Sequence, residues 1–122
     1  MNFFSVDTII ISIIVIFIIL RFIPVKGVKQ INTNELKKLL KDKGLQFIDV
    51  RTKGEFGRYH IQGFKNIPLH QLSKKANMLN KDNEVVVICQ SGVRSKKASK
   101  VLKKMGFKKI INVKGGVSTW RG

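Results

Sequence analysis

Apolar and polar positions change their period several times along this chain. From Val6 to Ile23 nearly every position is apolar, and Thr8 to Leu20 contains no charged residue. Such a segment has no polar stripe to turn toward water, so it reads as a helix apolar on every face. Its length is close to the roughly 20 residues that cross a bilayer, with Arg21 snorkelling to the interface. Beyond Gly27 short apolar runs alternate with helical spacings. Val28 to Ile31 is a candidate strand. Thr33 or Asn34 can cap a helix whose apolar positions are Leu36, Leu39 and Leu40, and Gly44 ends it. Leu45 to Val50 is a second strand, Asn66 to Leu69 a short extended piece, and His70 to Leu79 a modest helix marked by Leu72, Ala76 and Leu79.

The strongest signals follow. Val85 to Cys89 is a near-continuous apolar run, the pattern of a central parallel strand covered on both faces. Ala98, Val101, Leu102 and Met105 stand at i, i+3, i+4 and i+7, which predicts a helix over Arg94 to Met105 with Gly106 as its stop. Ile110 to Val113 is the last strand, and Gly115-Gly116 leads to a short terminal segment with Trp120. This order predicts an α/β domain with a largely parallel sheet flanked by helices, preceded by a single transmembrane helix. The expected division is an anchor at 1–24, a linker at 25–28 and the folded domain at 29–122.

Flanking charge sets the expected orientation. Asp7 precedes the apolar run, as an interfacial residue, whereas Arg21, Lys26 and Lys29 follow it; no basic residue stands before the run and no small-residue cleavage site after it. An uncleaved anchor with the N-terminus outside and the domain in the cytoplasm fits this pattern better than a signal peptide. The chain of 122 residues carries a net charge of +17, nearly all of it downstream of the anchor. Such a field draws anions of every kind, from lipid headgroups to small oxyanions.

Cys89 is the one cysteine, which excludes an internal disulfide and a cysteine-based metal cluster. Only His60 and His70 accompany it, at spacings that suit no zinc site, so neither a metal nor another cofactor is expected. A free thiol suits the reducing cytoplasm. The thiol stands where the most hydrophobic strand ends, and ligands of parallel α/β sheets bind at the carboxyl ends of strands. The turn Gln90 to Val93 then enters a helix, so its amides can form an anion-binding nest with the positive helix terminus behind it. Gly92 permits unusual backbone angles, and Arg94 adds a full positive charge. Together these features favour thiolate over thiol.

Cys89-Gln90-Ser91-Gly92-Val93-Arg94-Ser95 resembles the C-x-x-G-x-R-S active loop of rhodanese-like sulfurtransferases. Supporting pieces lie in the same order as in that family: Phe47-Ile48-Asp49-Val50-Arg51, then Glu55-Phe56, His60-Ile61 with Gly63, Asn66-Ile67-Pro68, and finally Gly115-Gly116 with Trp120. Tyr59 replaces the family's usual glycine before the histidine, and Phe64 its usual alanine. The resemblance covers roughly Lys29 to Gly122.

The resemblance implies a double displacement through a persulfide on Cys89. The donor is a small sulfur anion such as thiosulfate, and the acceptor is cyanide or a thiol. Loop amides from Gln90 to Ser95 would hold the anionic sulfur, with Arg94 either the fixed charge of this cradle or a brace for the loop. Gln90, Ser91 and Val93 would shape the pocket. Asp49 and Arg51 read as pocket wall or as members of an ion pair, with Arg51 to Glu55 the expected pairing, and His60 reads as a hydrogen-bonded structural residue. Two alternatives stand: a non-catalytic binding module at the membrane, and a cysteine phosphatase. Phosphatase loops place five residues between cysteine and arginine; here there are four. The lysines of the helix after the loop suit a solvated face, contact with anionic lipid, or attraction of an anionic donor. The lack of an aromatic stacking platform argues against nucleic acid.

Overall fold

The computed structural model describes residues 5–23 and 25–122, except for the side chains of residues 21 and 22. The first four residues and position 24 of the expected anchor, and the proposed snorkelling of Arg21, lie outside what is described. Helix α1 spans Val6–Phe22. Ser5 caps it by accepting from the Thr8 amide (3.3 Å), and it stops at Ile23, whose backbone is extended (φ −73°, ψ 125°). Ile23 precedes a proline in the sequence, which disfavours the helical region for it. The helix has 17 residues, a length of about 26 Å at 1.5 Å per residue against a hydrocarbon core of about 30 Å. Among the described residues no helix is long and apolar enough to cross a membrane, so the expected spanning anchor is not supported. What the structure does show is a helix with large apolar side chains exposed on every face, from Val6 to Leu20.

The remaining chain alternates strand and helix: β1 (Val28–Ile31), α2 (Thr33–Leu39), β2 (Gln46–Asp49), α3 (Lys53–Arg58), β3 (Lys65–Asn66), α4 (Leu72–Lys75), β4 (Val85–Ile88), α5 (Val93–Lys104) and β5 (Ile110–Val113). The five strands form one sheet in the order β1-β5-β4-β2-β3, every pairing parallel. The α/β expectation holds, and β4 is central as its unbroken apolar run required. Side chains alternate across it. Val85, Val87 and Cys89 join Ile48, Val50 and Ile110 on the face covered by α4 and α5, where Leu72, Ala76, Ala98 and Leu102 pack. Val86 and Ile88 join Ile31, Phe47, Ile111 and Val113 on the other face, beneath Leu36 of α2. Phe47 and Phe64 meet edge to face there, with centroids 5.4 Å apart. The aromatic ring at position 64, a departure from the family pattern, is thus absorbed by the core.

Three local expectations differ from the structure. Asn32, not Thr33 or Asn34, caps α2: its side chain accepts from the Glu35 amide (2.8 Å), and Glu35 accepts from the Asn32 amide (3.3 Å), closing a capping box. The helix expected over His70 to Leu79 is broken into a 3-10 turn (Leu69–Gln71), the one-turn α4 and a second 3-10 turn (Ala76–Met78). Finally, α3 has no counterpart among the expected elements. Its six residues contain two glycines and no apolar repeat, and it forms on a second capping box between Thr52 and Glu55. Helix α5 ends as expected. Gly106 takes φ 98°, while the amides of Gly106 and Phe107 return to the carbonyls of Lys103 and Leu102.

Candidate active site

Cys89 directly follows β4, and its residue is 1% exposed. The chain then turns through Gly92, the N-cap of α5, at φ 107°, a left-handed conformation that glycine adopts without the Cβ penalty. The turn aims the Gly92 N–H at the Cys89 Sγ (2.9 Å). The thiol in turn donates to Ser95 Oγ (3.4 Å), and Ser95 Oγ donates to the Gly92 carbonyl (3.1 Å). A hydroxyl hydrogen rotates freely between acceptors, so Ser95 can turn its hydrogen to the sulfur when that is ionised. Among the described residues, the N–H groups of Gln90, Ser91, Val93, Arg94 and Ser95 have no protein acceptor. Of the expected ring of amides, the Gly92 N–H is the one that reaches the sulfur; the other five belong to the same loop and the N-terminus of a 12-residue helix.

The chain's last turn fixes this loop, which the motif reading did not foresee. The Val117 amide donates to the Cys89 carbonyl (2.9 Å), and the Ser118 amide donates to the Gln90 carbonyl (3.0 Å). In a trans peptide the C=O and N–H point in opposite directions. Holding these two carbonyls toward the terminal turn therefore holds the N–H groups of Gln90 and Ser91 away from it. The approach needs a glycine: Gly116 has φ 61°, and a Cβ there would overlap the Cys89 carbonyl oxygen. The Gly-Gly doublet was visible in the sequence, but its partner was not. Trp120 of the terminal segment packs half-buried at the edge of the α2-side core.

The charged residues pair differently from expectation. Arg51 bonds not Glu55 but Asp49, through Nε (3.1 Å to each oxygen) and Nη2 (2.9 Å), both residues being buried. The two lie two positions apart in extended chain, which puts them on one side. Asp49 Oδ1 also accepts from the Arg51 amide (3.0 Å). With its acid partner satisfied, Arg51 reaches the Tyr59 carbonyl (2.7 Å) and Gln90 Oε1 (3.2 Å). Asn66 Nδ2 ties the carbonyls of Asp49 and Arg51 (3.0 Å each). Gln90 is accordingly held by this network, while Ser91 and Val93 stand exposed.

Glu55 instead takes Arg94, which donates from Nη1 (2.5 Å) and Nη2 (2.9 Å). This bidentate bond holds the Glu55 carboxyl down at about 2, against an ordinary 4.5, aided by its bonds from Thr52 and opposed by partial burial. The same bond raises Arg94 above its ordinary value. Arg94 therefore acts as a brace between α5 and α3, and its charge also interacts, more weakly, with Cys89 and Asp49. His60 bonds the Phe56 carbonyl through Nδ1 (2.9 Å) and stacks on the Phe56 ring (3.8 Å), as its structural reading expected. No group of three or more His, Cys, Asp or Glu that could hold a metal gathers among the described residues.

A cleft of about 450 Å³ opens along the start of α5, bordered by Arg94 but by none of Cys89 to Val93. Val50, Leu69 and Val101 give it apolar walls, and His70, Arg94 and Lys97 its polar ones. A second cleft of about 520 Å³ shares Pro68 and His70 with it and continues past Phe56, Lys53 and Lys75.

A model of the rhodanese-like domain family matches residues 32–122, and the chain belongs to that family. Among curated proteins of Bacillus subtilis (strain 168), it is 44% identical over 86 residues to the putative sulfur carrier protein YrkF, covering 70% of this chain and 46% of that one. It is 46% identical over 77 residues to the uncharacterized protein YqhL, covering 63% and 61%. The chain thus spans about half to three fifths of the length of these two relatives. It is 40% identical over 96 residues to the putative sulfurtransferase YtwF, covering 78% and 92%. The crystal structure of a rhodanese-like domain protein from Staphylococcus aureus superposes with a TM-score of 0.70 at 36% identity, covering 76% of this chain and 91% of that one.

Two outcomes follow from the geometry. Because the Glu55 carboxyl is lower in the folded chain, its contribution to stability is complete above about pH 4.5 and disappears as pH falls toward 2. Denaturant titrations should show the wild type more stable than Glu55→Gln at neutral pH, with the gap closing near pH 2; a gap independent of pH would contradict the pairing. Gly116→Ala should lower stability by about 1–3 kcal/mol, since it strains a left-handed position, and should also alter the rate at which a thiol reagent modifies Cys89. Gly54→Ala, where an added Cβ meets open space, is the control. Melting and thiol reactivity unchanged in Gly116→Ala would dismiss the brace.

Proposed function

We propose that the chain is a sulfurtransferase that moves sulfane sulfur through a persulfide on Cys89. The Cys89 thiolate attacks the outer sulfur of a small anionic donor such as thiosulfate. The donor's S–S bond breaks, its electron pair leaves with sulfite, and a persulfide anion remains on Cys89. An acceptor, cyanide or a thiol, then attacks the outer sulfur. The second S–S bond breaks and the thiolate returns. Neither step needs an outside oxidant or reductant.

The observation that carries this reading is the Gly92 N–H at 2.9 Å from Sγ, in a loop whose five other amides have no protein acceptor among the described residues. Amides fixed before reaction stabilise developing negative charge without reorganising, and here the charge sits on sulfur in both half-reactions. In the second half-reaction the persulfide carries the reacting atom about 2 Å beyond Sγ, whereas in the first the donor's outer sulfur must reach the buried Sγ itself. With Arg94 paired to Glu55 but still interacting with Cys89, the amides and the α5 terminus add to the positive potential, while the +17 charge of the chain draws anionic donors inward. No general base is required once the nucleophile is ionised. Relatives that bear the name sulfurtransferase favour this activity over a binding module.

We also propose that α1 attaches the chain to a membrane, with the domain on the cytoplasmic side. In support, its apolar side chains are exposed all round, and its hydroxyls are used within the helix: Ser12 Oγ donates to the Thr8 carbonyl (2.8 Å), and Ser5 and Thr8 bond each other. Lys26 and Lys29 follow the helix, as the positive-inside tendency requires.

Thiosulfate treatment should add the mass of one sulfur atom to the wild-type chain, at Cys89, and nothing to Cys89→Ser; sulfur incorporation that persists without the cysteine would exclude the mechanism. The full chain should float with vesicles containing anionic lipid and remain bound at high salt. Release by salt would leave only electrostatic adhesion and remove α1 as the attachment.

A further inference from the structure

The cleft along the start of α5 is too large for the small ions that the chemistry of Cys89 requires. Its volume of about 450 Å³ compares with about 30 Å³ for one water in the liquid, so cyanide or thiosulfate would fill little of it. Its place relates it to the thiol. Val50, which forms one wall, belongs to the same packed cluster as Cys89, and Leu69 and Val101 pack against that cluster. Arg94 both borders the cleft and opens the helix behind the cysteine. An occupant would therefore lie with one end at Arg94, five residues after the cysteine, and its body along α5.

The chemistry of the walls is selective. Val50, Pro68, Leu69 and Val101 are apolar, and no acidic side chain lines the cleft. Its two formal cations differ. Arg94 is held in a bidentate bond by Glu55, whereas Lys97 is exposed and, among the described residues, has no hydrogen-bond or ion-pair partner. Lys97 stands one turn beyond Arg94 and one turn before Val101, on the same helix face. From Val93 to Lys97 the helix rises about 6 Å, the reach of a chain of a few methylenes.

Resting on the sulfurtransferase reading, we propose that this cleft seats the sulfur acceptor, that the acceptor is an organic thiol bearing an anionic group on a short apolar body, and that Lys97 selects it by pairing with that anion. In the transfer, the acceptor's thiol sulfur attacks the outer sulfur of the Cys89 persulfide. The S–S bond breaks, its electron pair returns to Cys89 as thiolate, and the thiol's proton leaves with the new organic persulfide or passes to solvent. Val50, Leu69 and Val101 cover the body, and Lys97 is a specificity-determining residue that takes no part in bond making.

Two acceptors of equal length separate this from bulk electrostatics: 6-mercaptohexanoate and the uncharged 6-mercaptohexan-1-ol, used with the full chain and thiosulfate as donor. The wild type should show a KM about fivefold lower for the carboxylate, the effect of one exposed charge pair. Lys97→Gln should erase that preference, Lys97→Arg should keep it, and Lys104→Gln, on the same helix outside the cleft, should leave it intact. Absence of a preference in the wild type, its survival in Lys97→Gln, or an equal loss in Lys104→Gln would overturn the proposal. Binding of the unreactive 6-(methylthio)hexanoate, followed by NMR, tests the cleft even if Cys89 never acquires sulfur. Weaker binding to Lys97→Gln than to wild type upholds the cleft, and equal binding refutes it. Failure to load sulfur on Cys89 would count against the sulfurtransferase reading instead.

Discussion

Two backbone hydrogen bonds govern the geometry on which everything else depends. The amides of Val117 and Ser118 hold the carbonyls of Cys89 and Gln90, and peptide planarity then turns the amides of Gln90 and Ser91 the other way. The loop after a central strand has no ladder partner of its own, so its peptide planes would otherwise be free to flip. Here the C-terminal turn, brought close by a glycine that leaves room for the Cys89 carbonyl, supplies the missing partners. Gly92 completes the loop by curling the chain until its own N–H meets the sulfur. The result is a group of donors whose orientation is set before any ligand arrives.

A second layer of support uses charge for position. Asp49 and Arg51 form a buried pair at the end of β2, and the remaining donors of Arg51 reach Tyr59 and Gln90. A buried pair of this kind contributes little net stability but is costly to break, which suits a strut between two loops. Arg94 and Glu55 repeat the arrangement at the surface, joining α5 to α3. The arginines thus shape the site, Arg94 with its charge still interacting with Cys89, while the hydrogen bond to the sulfur comes from the backbone. Tyr59, at odds with the family pattern, contributes through its carbonyl, a role that its side chain does not restrict.

Much of this was legible in the residues, for identifiable reasons. The unbroken Val85 to Ile88 run had to be a strand buried on both faces, and the spacing of Ala98, Val101, Leu102 and Met105 had to be a helix packed on one of them; both hold. Cys89 was placed correctly at their junction. Short elements escaped because their cause is local hydrogen bonding, not hydrophobic period. The capping residues Thr52 and Glu55 spell out α3, and Asn32 with Glu35 the start of α2, but only when read for caps. Ion pairs were the least legible. Glu55 and Arg94 are 39 residues apart, and nothing local tells which of two nearby arginines the fold brings to the acid. The brace by the terminal turn was equally hidden, since it involves backbone groups alone. The apolar N-terminal run did form a helix, but one shorter than the apolar stretch suggested, ending just before the residue that precedes proline.

The most direct test is a crystal structure of the thiosulfate-treated chain at a resolution that separates the two sulfur atoms on Cys89. The expected result is an outer sulfur within hydrogen-bonding reach of several N–H groups of the Gln90 to Ser95 loop, with the Cys89 and Gln90 carbonyls still bonded to Val117 and Ser118. An outer sulfur turned away from those amides, or a loop whose carbonyls face the sulfur, would contradict the claim that the backbone is what holds it.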